Sequence, residues 1–398
     1  MALIPGSEVV LTPEKPVAGG RMLARHEGQV VLVAGAIPGE RVRARIDQVR
    51  RQLAFAVTVQ VLDPSSDRRA STLDWACGGS LYAHIAYARQ LSLKSELVAD
   101  GLTRIGKIAV AGKVQVMASP EDGYRMRARL HIRNARIGFF REGTHELCDV
   151  APTRQLLPAT VDALKAVEQA LGGRADDAVS CEVSENIPGL DRAILIEFAD
   201  GRAELAPGCE SAYVTDAIDV DGGCVRLTRH VRSFFQANRW LVAQLAARVV
   251  SQVTDGPVAD LYAGVGLFAV SLAARGRTSV VAVEGERFAA SDLENNAAAC
   301  GNAIAVTQTS VERYLSGPAS RVLHTIVLDP PRTGISSEAM SGLVALKAPR
   351  VVYVSCDVAT LARDLKRFAE AGYRLDHLEA FDLFPNTAHV ETLAVLAR

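Results

Sequence analysis

From residue 257 to its last residue the chain alternates short apolar runs with helical patterns, and this alternation is the strongest constraint on its fold. The runs Pro257-Val258-Ala259-Asp260-Leu261-Tyr262, 279–284, 304–308, 324–329, 350–355, 375–381 and 390–397 read as strands. Apolar runs of this length separated by helices are buried on both faces, so they predict a mostly parallel sheet with helices on either side. The last two runs follow one another with no helix between them, which predicts an antiparallel final strand. A helix with Trp240, Leu241, Leu245 and Val249 on its apolar face leads into the first strand. In such sheets, chemistry collects beyond the carboxyl ends of the strands.

That pattern covers only part of the chain. At 398 residues the chain exceeds what one core normally fills, and it divides into segments 1–64, 71–225 and 226–398. The first has alternating stretches (Val9-Val10-Leu11, 29–33 and 55–60) punctuated by Pro and Gly, as in a small β-barrel, and Pro64-Ser65-Ser66-Asp67 reads as a linker. Within it, Arg41-Val42-Arg43-Ala44-Arg45 sets three guanidinium groups on one face of a strand. Either a solvated strand face or a nucleic-acid contact fits that spacing. The middle segment is α+β, with a helix over 159–171 and a strand over 193–198. Its run Tyr124-Arg125-Met126-Arg127-Ala128-Arg129-Leu130-His131-Ile132-Arg133 again alternates arginine with apolar residues, close to Phe139, Phe140 and Arg141. Basic groups beside aromatics suit RNA contact, and charge on a protected edge strand has the same signature.

A net charge of −1 excludes a uniformly basic nucleic-acid binder, though not local patches. No run of eighteen apolar residues occurs and the start lacks a leader pattern, so a cytoplasmic location is expected. The seven cysteines (77, 148, 181, 209, 224, 300 and 356) are scattered and odd in number, which predicts buried thiols rather than a disulfide framework.

The chemistry-bearing motifs lie in the last segment. Gly264-Val265-Gly266 after the first strand, with Glu284 ending the next, fits an adenosine-binding turn and carboxylate; alone it serves a nicotinamide dinucleotide as well as S-adenosylmethionine. Asp260 ahead of the glycines and the tight turn Asp329-Pro330-Pro331-Arg332-Thr333-Gly334 favour the latter. Cys356 stands at the end of an apolar strand, where a thiolate nucleophile is held rigidly.

Together, Phe235-Gln236-Ala237-Asn238, Asp260 to Gly266, Asp329 to Gly334, Ser355 to Leu365 and Phe384-Pro385-Asn386-Thr387-Ala388-His389-Val390-Glu391 resemble the RNA 5-methyluridine methyltransferase family. The resemblance implies a multidomain chain: a TRAM-like (OB-like) β-barrel, a central α+β domain and a Rossmann-like class I S-adenosylmethionine-dependent methyltransferase domain. It implies Cys356 as nucleophile toward carbon 6 of a uridine and Glu391 as the base that removes the carbon 5 proton. Gln236, Tyr262, Gly264, Gly266, Glu284 and Asp329 would surround the methyl donor, and Arg332, Arg125 and Arg127 would contact RNA. His389 is read as structural or as a substrate contact. Val358 stands where the family usually has proline.

The stretch Cys77 to Leu91 is similar to a segment that supplies iron-sulfur ligands in many relatives, but the implied ligand positions are Ser71, Cys77, Ser80 and Thr153. A cluster needs four soft ligands, so none is expected, and Cys77 is read as a buried thiol. The expected partner is RNA, ribosomal ahead of transfer RNA, with no membrane association and a monomeric chain. A dinucleotide-dependent dehydrogenase and a noncatalytic RNA-binding protein are the competing readings.

Overall fold

The computed structural model describes residues 3–71, 73–172, 177–317 and 322–398. Its first segment forms strands β1 (Glu8–Leu11), β2 (Lys15–Pro16), β3 (Met22–His26), β4 (Gln29–Ala34), β5 (Arg41–Arg50) and β6 (Leu53–Asp63). They pair in the order β1-β5-β6-β4-β3-β2. Alternation does the work on β5: Val42, Ala44 and Ile46 join Leu11, Val31, Val33 and Ala54 in one apolar cluster, while Arg41, Arg43 and Arg45 face out. Each of these arginines has a carboxylate neighbour: Asp63 at 3.6 Å, Glu8 at 4.0 Å and Asp47 at 3.6 Å. The face is therefore charge-balanced, not the uncompensated cationic stripe that the spacing suggests.

The middle of the chain supplies α1 (Tyr87–Gly101), β7 (Val116–Met117), β8 (Arg127–Arg133), β9 (Arg136–Phe140), β10 (Leu147–Asp149), α2 (Val150–Thr153), α3 (Pro158–Leu171), β11 (Ala178–Glu185), β12 (Arg192–Phe198) and β13 (Ala203–Leu205). Strands β8–β13 make an antiparallel sheet in the order β10-β9-β8-β11-β12-β13. On α3, Leu164, Val167 and Leu171 recur at helical spacing and pack on Leu130, Ile132 and Ile194 of that sheet. The hairpin β14 (Tyr213–Val220) and β15 (Gly223–His230) sends Val225 and Leu227 into the core of the last segment.

Cys77 and Cys148 are joined by a disulfide with their Cα atoms 5.8 Å apart. This corrects the expectation of a free buried thiol at Cys77. Cys77 bridges Arg141, just past the end of β9, and Cys148 pairs with Phe139 on β9, so one strand brings together two residues 71 apart. Spacing alone cannot reveal such a pair.

The last segment comprises α4 (Val242–Ser251), β16 (Val258–Leu261), α5 (Leu267–Ala274), β17 (Val280–Glu284), α6 (Arg287–Ala298), β18 (Ile304–Gln308), α7 (Val311–Leu315), β19 (Thr325–Leu328), α8 (Ser337–Leu346), β20 (Arg350–Ser355), α9 (Val358–Glu370), β21 (Arg374–Phe381) and β22 (Glu391–Ala397). The sheet order is β18-β17-β16-β19-β20-β22-β21-β7, and β22 runs antiparallel to both neighbours, as the missing helix predicts. β7 comes from the middle of the chain and extends the sheet edge beside β21. Leu241, Leu245 and Val249 enter the core as expected, but Trp240 lies ahead of α4 and is 44% exposed. Its Nε1 donates to the Asp122 carbonyl at 3.3 Å, which turns the indole away from the apolar face. Among the described residues no helix is long and apolar enough to cross a membrane.

Candidate active site

Strand order runs outward in one direction from β16 to β18 and in the other from β19 to β20, so a crevice opens at the carboxyl ends of β16 and β19. Register then determines which side chains meet there. Leu261 pairs with Val283 and with Leu328, so Tyr262, Glu284 and Asp329 emerge next to one another. Ser355 at the end of β20 pairs with Thr392 on antiparallel β22. The next residues outward on these strands are Cys356 and Glu391, which sit 35 positions apart in the chain and side by side in space.

The half of the crevice nearer β16 is built by the glycine turn. Gly264 (φ 55°) and Gly266 (φ 96°) both use the left-handed region, and a Cβ on Gly266 would lie 2.8 Å from Leu293 Cδ1. Tyr262 is held at φ 63°, an unusual conformation for a bulky residue. Glu284 Oε2 accepts from Gly264 N at 2.8 Å, and Oε1 accepts from Gly285 N at 2.8 Å and Glu286 N at 2.6 Å. Asp260 Oδ2 accepts from Ala269 N at 2.9 Å, which leaves Oδ1 buried without a partner. Burial, reinforced by Asp329 and Glu284, pushes the Asp260 carboxyl up to about 8. Asp329 is likewise pushed up to about 7, first by burial and then by Glu284, against a 3.1 Å hydrogen bond from Gln236 Nε2.

The other half holds Cys356 and Glu391. Glu391 is 3% exposed and its Oε1 has no hydrogen-bond partner. Burial and then the Asp329 charge raise its carboxyl well above the usual range, with Arg332 opposing. Burial and then Glu391 push the Cys356 thiol up to about 11, again opposed by Arg332 through its charge and a hydrogen bond. Arg332 is exposed at the lip of the crevice. Asp357 caps α9 by accepting from Thr360 N at 2.8 Å, so Val358 takes the first helical position, where proline is also at home.

Of the two arginines expected from the middle segment, the structure brings one to this site. Arg125 donates to Gln155 Oε1 at 2.7 Å and lies 5.3 Å from the Phe139 ring and 6.0 Å from the Phe384 ring. Its charge, after those of Arg332 and Lys94, joins burial in pushing His389 down to about 4, so the imidazole is neutral. Arg127 instead donates to Glu182 at 2.9 Å and to the Arg232 carbonyl at 3.1 Å. β11, the neighbour of β8, supplies the carboxylate that Arg127 pairs with, so this arginine is partnered within its own sheet.

Sequence reasoning missed the residues that hold the loop between β21 and β22. Lys94 on α1 is fully buried in an ion pair with Asp382 and donates to the Phe384 carbonyl at 3.0 Å. Gln90, one turn earlier, accepts from Asn386 N at 2.9 Å and donates to Asn386 Oδ1 at 3.0 Å, holding Asn386 at φ 65°. Asn238 donates to the Leu383 carbonyl at 3.1 Å. Gln90 and Lys94 stand four apart on one helix face; nothing else in the sequence sets them apart from solvated side chains.

Residues 318–398 match the model of the tRNA (Uracil-5-)-methyltransferase family, and residues 6–59 match the TRAM domain. The chain is 31% identical to the 23S rRNA (uracil(1939)-C(5))-methyltransferase RlmD of Pseudomonas putida, an alignment that covers 98% of this chain and 94% of that protein. It is 32% identical to an uncharacterized RNA methyltransferase of Streptomyces avermitilis, with 96% of each covered. The crystal structure of the Pyrococcus abyssi tRNA (uracil-54, C5)-methyltransferase in complex with S-adenosyl-L-homocysteine superposes with a TM-score of 0.77 at 23% identity, covering 97% of this chain and 99% of that one, which shows a shared fold. With near-complete coverage of these relatives, a barrel matching the TRAM domain, and a cysteine and a glutamate brought together by strand register, the chain belongs to the RNA (uracil-5-)-methyltransferase family.

Proposed function

We propose that the chain methylates carbon 5 of a uridine in structured RNA, using S-adenosylmethionine, with Cys356 as nucleophile and Glu391 as general base. The observation that carries this reading is the Cys356–Glu391 juxtaposition, in which a buried carboxylate oxygen without a partner stands beside a thiol at the mouth of the crevice. Gln236, Tyr262, Gly264, Gly266, Glu284 and Asp329 would hold the methyl donor. The fit is supported by the left-handed glycine turn, by the Glu284 carboxylate at its lip and by the buried Asp260 oxygen that lacks a partner. When bound, S-adenosylmethionine supplies an electrophilic methyl carbon on its sulfonium.

Carbon 5 of uracil is a weak nucleophile, which explains why a cysteine is needed. Cys356 Sγ adds to carbon 6, and the displaced electron pair moves through the carbon 5–carbon 6 bond, making carbon 5 an enolate-type nucleophile. Arg332 favours the attacking thiolate against the burial that disfavours it. After methyl transfer, Glu391 removes the proton from carbon 5 and the returning electron pair expels Cys356 as a thiolate. The uridine must leave its stack to reach Cys356, so the RNA around it is unpaired or opened on binding.

Ribosomal RNA is the favoured substrate class, supported by the 23S rRNA relative of nearly the same extent. Transfer RNA is the second reading, favoured by the full-length fold likeness to a tRNA (uracil-54, C5)-methyltransferase. The experiment is incubation with S-adenosylmethionine labelled in its methyl group and unmodified ribosomal or transfer RNA, followed by nucleoside analysis, with Cys356→Ala in parallel. Label in 5-methyluridine from ribosomal RNA, absent with the variant, is the expected result. Label from transfer RNA alone would reassign the substrate, and no label in either would turn the reading to a noncatalytic RNA-binding protein.

A further inference from the structure

The loop that leads to Glu391 borders a cavity of about 250 Å³ that Cys356 does not line. Its walls come from three regions of the chain: Gly19 from the barrel, the Trp75–Gly79 turn with Glu142 from the middle segment, and Thr387–His389 from the loop that leads to Glu391. The geometry points to this cavity as the pocket for an unpaired nucleobase that flanks the target uridine on the same RNA strand, an inference that rests on the methyltransferase reading above.

The lining is what a nucleobase requires. Trp75 is half-buried and lines the cavity, and its ring carbons Cε2 and Cζ2 lie 3.5 and 3.7 Å from where a Cβ on Gly35 of the barrel would stand. The cavity therefore has an aromatic wall that packs on the barrel, and base–aromatic stacking is the sequence-tolerant part of single-strand binding. Glu142 at the rim has its carboxylate 3.4 Å from Arg21, a long contact that leaves acceptor capacity for the N–H edge of a base. His389 forms the wall nearest the active site, and its neutral imidazole adds a further donor or acceptor. Convergent polar groups around an apolar wall are the usual composition of a ligand pocket.

The cavity is also tied rigidly to the reacting groups. Gln155 donates to the Gly78 carbonyl at 2.9 Å and accepts from Arg125, which faces His389 and Arg332. The Cys77–Cys148 disulfide fixes the same turn to β9 and β10. An RNA strand that delivers its uridine to Cys356 must pass over this wall, and the neighbouring base, unstacked by the flip, finds an aromatic platform there.

The chain has two tryptophans, so Trp240→Phe leaves Trp75 as a single fluorescent reporter in the full-length protein. The titrant is unmodified 23S ribosomal RNA transcript, in parallel with transfer RNA transcript. The expected result is quenching of Trp75 emission and protection from acrylamide, with a midpoint that follows methylation of the same RNA. In the otherwise wild-type protein, Trp75→Ala raises KM for RNA by about 10-fold with little change in kcat or in S-adenosylmethionine affinity, and Trp75→Phe restores most of it. Methylation by the Trp240→Phe protein with no change in Trp75 emission or acrylamide access overturns the pocket and leaves the methyltransferase reading standing. Absence of methylation by the wild type with every RNA overturns that reading itself.

Discussion

On β5, Arg41, Arg43 and Arg45 each stand within 4.0 Å of a carboxylate, and on β8 Arg127 and Arg129 meet Glu182 and Glu197 at 2.9 and 3.0 Å. In the crevice at the carboxyl ends of the sheet strands the arrangement is reversed. Asp260, Asp329 and Glu391 are all buried or nearly so, all have raised carboxyl values, and Asp260 and Glu391 each keep an oxygen without a partner. Exposed pairs in water interact weakly, so the strands that carry them can lose one at small cost. Carboxylates crowded in a buried crevice repel one another and resist ionisation, which costs stability and yields reactivity. The comparison teaches that the carboxylates proposed here to serve the reaction are ones the scaffold leaves short of hydrogen-bond partners, whereas the arginines on β5 and β8 are paired in place.

On the proposed mechanism, the largest effect comes from removing the base, Glu391. Glu391→Gln keeps the shape of the side chain and lacks the means to take the carbon 5 proton. Addition of Cys356 and methyl transfer then proceed, release stalls, and turnover falls by on the order of 10³-fold or more. The measurement is a denaturing gel of the variant with RNA and labelled S-adenosylmethionine, in which a methyl-labelled protein–RNA adduct accumulates. Normal turnover with no adduct would show that another group removes the proton. Iodoacetamide trapping of Cys356 across pH sharpens the same point: since Glu391, after burial, raises the thiol value, the variant's alkylation midpoint falls below that of the wild type.

Next in size is the buried pair that holds the loop ahead of β22. Lys94 and Asp382 are both fully buried, and Lys94→Met leaves an uncompensated carboxylate in the core. The expected loss is about 4 kcal/mol in urea denaturation, and a partner change of Asp382→Asn in the same chain recovers most of it. A loss of under about 1 kcal/mol would mean that water reaches the pair, and would weaken the contrast between compensated and uncompensated sites.

How far these features could be read in advance depends on whether they are local. The strands of the catalytic sheet, its antiparallel last member, the glycine turn and the placing of Cys356 at a strand end all follow from periodicity, and the structure finds strands at 258–261, 280–284, 350–355 and 391–397 as read. The pairing of Cys356 with Glu391 was carried by family motif, and its physical cause, the register of β20 on β22, is a tertiary fact. The disulfide between Cys77 and Cys148, the neutralisation of Arg127 by Glu182 and the buried Lys94 were not legible, because each partner comes from a distant part of the chain. Trp240 looks like core in the sequence because an aromatic stands there at helical spacing, and only the structure supplies the Asp122 carbonyl that its Nε1 meets.

A smaller effect with a definite sign is expected at Asp260. Its folded value is raised from 3.8 to about 8, so the folded state holds a proton that the unfolded chain releases. This contribution is fully present below the unfolded value and is lost progressively as pH rises toward about 8. Asp260→Asn keeps an oxygen to accept from Ala269 and removes the ionisation. It should match the wild type near pH 4 and exceed it by more than about 1 kcal/mol at about pH 9, measured by urea denaturation without ligand. A gain independent of pH would remove the carboxylate crowding from the argument.

The smallest effect belongs to β5, and it tests the other side of the comparison. Arg41, Arg43 and Arg45 have side chains 58%, 47% and 53% exposed, with partners at 3.6 to 4.0 Å, longer than a direct hydrogen bond. Replacing all three with glutamine should change stability by less than about 1 kcal/mol, because each pair is screened by water and its loss frees two side chains. RNA affinity should also fall only modestly, by a few-fold, and the slope of log affinity against log salt should drop by less than the value of about three that three released counterions would give. The measurement is RNA binding between low and moderate salt for the wild type and the triple variant. A drop of nearly three would mean that RNA phosphates displace Glu8, Asp47 and Asp63 from their arginines on binding. The barrel would then be a poised electrostatic surface whose charge is released by the substrate, and the contrast with the crevice would lie in what each region pairs with before RNA arrives.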